Sequence, residues 1–289
     1  MAGGFPGHRS CVAGQLTRLA WDYVCAMSDR AAQIIAALRR GHDDLVGRLA
    51  GLGPDDIVRA SGGSRDWTVA QVVSHLGSGA VISKASLDAA VAGAGNPGMD
   101  FNKEVWARWD GMTPAEQVAA FPAVNEELVA GYEALDGRAL NELRIDVGFL
   151  PQPLDVAGHA GMRLTEFALH GWDVVVTFDP AAAVARDAAV LLIDSFGPML
   201  RFAGKADQVD GAVTVAVRAT VPDRDFGLVI DDVVELTDLP SAAEAKIVAP
   251  TEYLVRLFSG RHGAEHTPES VRVTGSLTLD DLRRVFPGY

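Results

Sequence analysis

Near residue 205 the hydrophobic pattern of the chain changes period, and this change sets the architecture. Before it, apolar residues recur at helical spacings; after it, they alternate. Ile34, Ile35, Leu38, Leu45, Leu49 and Leu52 mark one face of a helix over about 29–51, closed by Gly51, Gly53 and Pro54. Val69, Val72, Val73, Leu76 and Val81 line a second helix over about 67–92. Further helices are expected over 101–110, 114–136 (with Pro114 in its first turn), 154–177 and 183–203. Residues 212–220 then alternate as a half-buried strand does. Segments 226–236, 243–248 and 271–274 read as further strands, and 250–259 and 278–285 as helices. The pattern describes a helical domain followed by a small α+β sheet domain, an α plus α/β chain of two domains.

The charge balance narrows the partners. With 25 Lys+Arg against 38 Asp+Glu, the net charge is −13, and no Lys/Arg cluster is present to release counterions from a polyanion. Nucleic acid and anionic membranes are excluded as partners on this ground. Cys11 and Cys25 are the only cysteines, which excludes a disulfide scaffold and a four-thiolate metal cage. No apolar run reaches the ~18–20 residues that cross a bilayer. Residues 11–26 are interrupted by Gln15, Arg18 and Asp22 and make a poor signal-peptide core. The division expected is therefore a flexible N-terminal extension over 1–27, a helical bundle over 28–204 opened by Ser28 as N-cap, and the α+β domain over 205–289. A cytoplasmic location follows by default.

The segment 154–177 carries an unusual polar stripe. His159, Arg163, Glu166 and His170 are spaced by four, three and four, and Asp173 extends the series. At ~100° per residue the first four fall within roughly 60° of one another around a helix axis. Glu166 and His170, at i and i+4, can converge on one ion. His75, set among Val72, Val73 and Leu76, could join them from a facing helix, giving two imidazoles and one carboxylate with open coordination positions. Each residue also has an ordinary reading. His75 could be a hydrogen-bonded core histidine, Glu166 and His170 an exposed helix pair, and Arg163 a partner of Glu166. His159 divides evenly between solvent and site. His42, His262 and His266 read as surface residues in polar surroundings.

Other chemistries find no support. The chain has no G-x-G-x-x-G after a strand, no phosphate-binding loop ending in Gly-Lys, and no G-x-S-x-G. Ser61-Gly62-Gly63-Ser64 follows no strand and reads as a loop, while Asp55-Asp56 and Asp231-Asp232 read as solvated pairs at element ends. The aromatic strip from Phe101 to Phe121, with Trp106 and Trp109, suits bundle core better than a pocket wall.

Trp67-Thr68-Val69 followed by His75-Leu76, together with Glu166-x-x-x-His170-x-Trp172-Asp173, resembles the mycothiol-dependent maleylpyruvate isomerase family. Leu257-Phe258-Ser259-Gly260-Arg261 and the strand around Val273 are similar to that family's C-terminal domain. The resemblance spans nearly all of 28–289. It implies a DinB-like four-helix bundle, with a divalent metal, usually zinc, on His75, Glu166 and His170, followed by a sterol-carrier-like α+β domain. It also implies mycothiol as a thiol cosubstrate, bound as thiolate, which adds to a small electrophile. In the isomerase reaction the thiol adds to a cis double bond and leaves after rotation; in related transferases it stays attached. Arg163 could then hold a substrate carboxylate in bidentate fashion, and Arg256 and Arg261 could reach the thiol or substrate from the C-terminal domain. Asp173 could orient a ligand histidine, or serve as an N-cap or in a helix pair. Two other readings stand beside this one. One is a non-catalytic binding protein with an apolar ligand in its C-terminal domain. The other is a DinB-like metal hydrolase that needs no thiol.

Overall fold

The structure, a computed structural model, describes the backbone of residues 11–288 and the side chains of 29–288. Four long helices form the N-terminal body. They are α1 (Cys11–Leu49), α3 (Val69–Val91), α5 (Pro114–Glu133) and α7 (Val156–Val175), with the short α2 (Pro54–Ile57) and α4 (Met99–Asp110) in the connections. Around the bundle α1 meets α5, α5 meets α3, α3 meets α7, and α7 returns to α1. The core they enclose includes Leu38, Val72, Val73, Leu76, Phe121, Leu128, Ala160 and Leu164, all nearly inaccessible. Burial of this kind stabilises at about 25 cal/mol per Å² of apolar surface. The short α6 (Gly137–Glu142) lies between α5 and α7, and α8 (Arg186–Ile193) and α9 (Gly197–Ala203) lead from α7 to the sheet.

The helix starts are written locally. Thr68 caps α3 and exchanges bonds with Gln71, and Thr113 does the same with Glu116 at the start of α5. Asp155 caps α7 by accepting from the Gly158 amide at 2.6 Å. Several expected boundaries move. Helix α1 passes through Ser28 unbroken, since no Gly or Pro interrupts 15–40. Residues 11–27 of the expected extension are part of α1, and its first ten residues lie outside the described residues. The helix expected over 183–203 is two, α8 and α9, because Pro198 sits in the first turn of α9 and cannot continue a helix from α8.

The C-terminal part is a five-stranded mixed sheet with α10 (Thr251–Phe258) and α11 (Leu279–Val285). Its strands are β1 (Val213–Thr220), β2 (Arg224–Ile230), β3 (Val234–Thr237), β4 (Ala245–Pro250) and β5 (Arg272–Gly275), in spatial order β3-β2-β1-β4-β5. Strands β1 and β4 run parallel, with Val217 opposite Ile247; the other pairings are antiparallel. The strand expected over 226–236 is the hairpin β2–β3, and the exposed Asp231 and Asp232 form its turn. Val213, Val215, Val217 and Ala219 face the core in the alternation that marked this strand in the sequence. Helix α10 packs on β1 and β4 and also on α8, so it joins the sheet to the bundle.

The aromatic strip is mostly core: Trp109 and Phe121 are buried, and only Trp106 stays largely exposed. The Trp109 ring lies against Gly77 of α3, where a Cβ would fall 2.2 Å from the indole.

Candidate metal centre

His75 on α3 and Glu166 and His170 on α7 come together across the bundle, offering one ligand atom each, all within 4.8 Å of one another. His75 Nε2 lies 2.9 Å from Glu166 Oε2, and His170 Nε2 lies 3.6 Å from the same oxygen. The two imidazole rings meet edge-on, with centroids 4.8 Å apart. Ligand atoms about 2.05 Å from a tetrahedral ion stand roughly 3.3 Å apart, so these separations bracket what a zinc-sized cation requires. All three residues are half-buried, leaving an approach from solvent. Burial works to raise the Glu166 carboxyl, but the His75 hydrogen bond and the charges of His170, His75 and Arg163 hold it below the usual carboxylate range.

Behind His170 stands a buried carboxylate. Asp173 Oδ2 accepts from His170 Nδ1 at 2.9 Å, and Asp173 is fully buried. Arg261, from the turn after α10, donates to the same carboxylate from Nε at 2.8 Å and from Nη2 at 2.7 Å. Gly260, with φ +80°, makes the left-handed turn that ends α10 and releases Arg261 towards the bundle. Burial works against an ionised Asp173, but the bonds and charges of His170 and Arg261 outweigh it and hold the carboxyl below its ordinary value. Asp173 is thus an i,i+3 partner of His170 on the same helix and orients its ring. With Nδ1 donating to Asp173, His170 presents the Nε2 lone pair to the cluster.

Trp67 closes one side. Its ring stacks on His170 at 5.8 Å and tilts over His75 at 5.3 Å, and it remains 37% exposed. The sequence marks Trp67 only as part of a motif; its place beside both imidazoles follows from Thr68 capping α3 immediately after it.

The three arginines are each engaged by protein groups. Arg163 is buried in the bundle, not open to a substrate carboxylate. It donates to the Leu76 carbonyl at 2.6 Å and to Asn125 Oδ1 at 3.0 Å, and burial lowers its pKa to about 10. Arg256 is buried too. It pairs through Nε with Glu252 at 2.8 Å and lies 4.8 Å over the Trp172 ring, which leaves its guanidinium no open edge. Arg261 does reach the site: its guanidinium bonds Asp173 and the Ser259 carbonyl, and its Nη2 lies 3.4 Å from His170 Nδ1.

The remaining histidines also move inward. His159 is buried, with Nδ1 2.7 Å from Tyr132 Oη, and burial and Arg163 lower its pKa to about 4. His42, expected at the surface, is buried against Asn125, whose Nδ2 donates to His42 Nδ1 at 2.9 Å. His262 is half-buried with Nε2 2.7 Å from the Phe286 carbonyl, and His266 sets its ring edge-on against Trp172. Polar neighbours in sequence concealed these placements, which arise from contacts between distant segments.

Fold and site define the class: a four-helix bundle with two imidazoles and one carboxylate converging between α3 and α7, closed by a sheet-bearing unit that reaches the cluster through Arg261. Residues 38–175 match the family model described as the mycothiol maleylpyruvate isomerase N-terminal domain. The helical bundle of this chain is thus similar to that domain over just under half of the chain. Among solved structures, a mycothiol-dependent maleylpyruvate isomerase and a histidine-to-alanine variant of it share the fold, each with a TM-score of 0.58 and 12% identity, over 86% of this chain and 95% of that one. No curated protein matches the sequence. Among the described residues, no helix is long and apolar enough to cross a membrane.

Proposed function

We propose that the protein is a metal- and mycothiol-dependent isomerase or thiol S-transferase acting on a small electrophilic substrate in the cytoplasm, with His75, Glu166 and His170 as the metal ligands. The observation that carries this reading is the convergence of those three ligand atoms within 4.8 Å from two facing helices. A divalent metal such as zinc, when bound there, supplies a Lewis acid that holds a thiol as its thiolate at neutral pH. The chain after Cys25 has no thiol of its own, so sulfur chemistry at this site needs a dissociable one. Residues 28–204 then serve as the metal-binding unit and 205–289 as the unit that completes its surroundings.

The chain's own residues prepare the site for this work. Asp173 and Arg261 hold His170 with its proton on Nδ1. His75 Nε2 and Glu166 Oε2 already face each other at 2.9 Å, and as ligands both would turn those atoms to the cation. Trp67 covers the imidazole faces and confines the approach of an electrophile to the open side. With the three arginines engaged elsewhere, none of them offers a free edge to an anionic substrate.

The test is turnover of maleylpyruvate or another activated electrophile by the metal-loaded protein, with and without a low-molecular-weight thiol. Turnover only with thiol supports the reading. Equal turnover without thiol transfers the site to hydrolysis.

A further inference from the structure

The loop Ser61-Gly62-Gly63-Ser64, ahead of α3, is wrapped around the carboxylate that orients His170. Ser64 Oγ donates to Asp173 Oδ2 at 2.7 Å, the oxygen that also takes the His170 Nδ1 proton. Ser61 Oγ donates to the Asp173 carbonyl at 3.0 Å and accepts from the Ser64 amide at 3.2 Å. The Gly62 amide donates to Thr177 Oγ1 at 2.8 Å, one turn beyond Asp173. Gly63 has no room for a side chain: a Cβ there would stand 1.9 Å from Asp173 Oδ1 and 2.8 Å from the Trp172 ring. The Ser61 amide bonds the Trp67 carbonyl at 2.8 Å, so the same loop seats the ring that covers both imidazoles.

Asp173 Oδ2 receives three donors: Ser64 Oγ, His170 Nδ1 and Arg261 Nη2. Three donors on one oxygen fix its direction, and the direction of that oxygen decides which nitrogen of His170 carries the proton. Arg261 holds both oxygens in the plane of its guanidinium and also brings Nη2 to 3.4 Å from His170 Nδ1, so it does not by itself favour Nδ1 as the protonated nitrogen. Ser64 adds a donor to Oδ2 beside His170 Nδ1, and the bare Cα of Gly63 packs against Oδ1 on the other side.

We infer that Ser64 and Gly63 are positioning residues of the metal centre, holding Asp173 so that His170 keeps its proton on Nδ1 and presents Nε2 to a divalent cation. The inference rests on the ligand set proposed above, and its test separates the two. The tautomer of His170 is read by nitrogen-15 NMR in the metal-free protein, and zinc affinity by chelator competition, for wild type, Ser64→Ala, Ser64→Thr and Gly63→Ala.

In the wild type His170 carries its proton on Nδ1. Ser64→Ala and Gly63→Ala admit the other tautomer and weaken zinc binding by about 10-fold or more, in the range seen when an outer hydrogen-bond partner is removed. Ser64→Thr, which keeps the hydroxyl, restores both readings. Ser64→Ala removes one oxygen from a half-buried position and remains informative if Gly63→Ala does not fold. A folded Ser64→Ala protein with wild-type tautomer and wild-type zinc affinity overturns the inference. A wild type that binds no zinc, while the variants still shift the tautomer, overturns the ligand assignment and leaves the positioning role standing.

Discussion

Arg261 and Asp173 stand 88 positions apart in the chain, yet the guanidinium spans both carboxylate oxygens, at 2.8 and 2.7 Å, with the pair almost wholly removed from solvent. This contact is where the sheet-bearing unit touches the proposed ligand shell. It ties the placement of His170 on α7 to the seating of the C-terminal part.

Removing Arg261 leaves a buried carboxylate without its cation. Arg261→Met is expected to destabilise the fold by about 3 kcal/mol, the lower end for one partner of a buried pair, because Ser64 and His170 still bond Asp173. Urea denaturation at neutral pH measures this. A loss under half a kcal/mol would mean the pair contributes little.

Arg163 sits one turn from Glu166 yet points into the bundle, where it joins α7 to the Leu76 carbonyl of α3 and to Asn125 of α5. Arg163→Ala should destabilise the protein by about 2–4 kcal/mol, since it opens a cavity and leaves buried acceptors unpaired. Substrate KM measured on the folded fraction should stay within about twofold of wild type, because the guanidinium has no path to a substrate carboxylate. A selective rise in KM of tenfold or more would restore the substrate-binding role.

His159 titrates at about 4 in the folded protein against 6.5 free, because burial beside Arg163 disfavours the imidazolium. The unfolded chain therefore binds this proton first as pH falls. The stability tied to neutral His159 is complete above pH 6.5 and is lost as pH falls towards 4, amounting to about 3 kcal/mol. His42, also lowered by burial, adds in the same direction. Unfolding free energy measured between pH 7 and pH 4 should decline, and His159→Gln, which keeps an acceptor for Tyr132, should flatten the decline by about one proton. An unchanged slope in the variant would contradict the assignment.

Trp67 lies 5.8 Å from the His170 ring and 5.3 Å from the His75 ring. Loading the site with a divalent cation should change tryptophan emission, and Trp67→Phe should remove that change while keeping the stoichiometry of binding. Persistence of the full change in Trp67→Phe would show that the reporting indole lies elsewhere.

The architecture was legible because periodicity records burial: the alternation of Val213, Val215 and Val217 and the stripe of α7 both appear in the structure as read. The spacing of Glu166 and His170 identified a shared helix face, and their meeting with His75 confirmed that α3 and α7 are neighbours. What spacing could not show was the direction of long side chains. Arg163 shares the stripe of Glu166, but a guanidinium on a flexible stem goes where acceptors lie, and these were in the core. The Ser61–Ser64 loop read only as a loop because its partner, Asp173, lies 109 positions beyond Ser64. The split of α8 from α9 was signalled by Pro198, together with Asp194, Ser195 and Gly197 between two apolar runs.

The most direct test of the account is the metal content of the protein purified without chelator, beside His75→Ala and His170→Ala. The account predicts one divalent ion per chain in the wild type and its loss in both variants, with helical content unchanged. A wild type without bound metal, or either variant retaining a full equivalent, would contradict it.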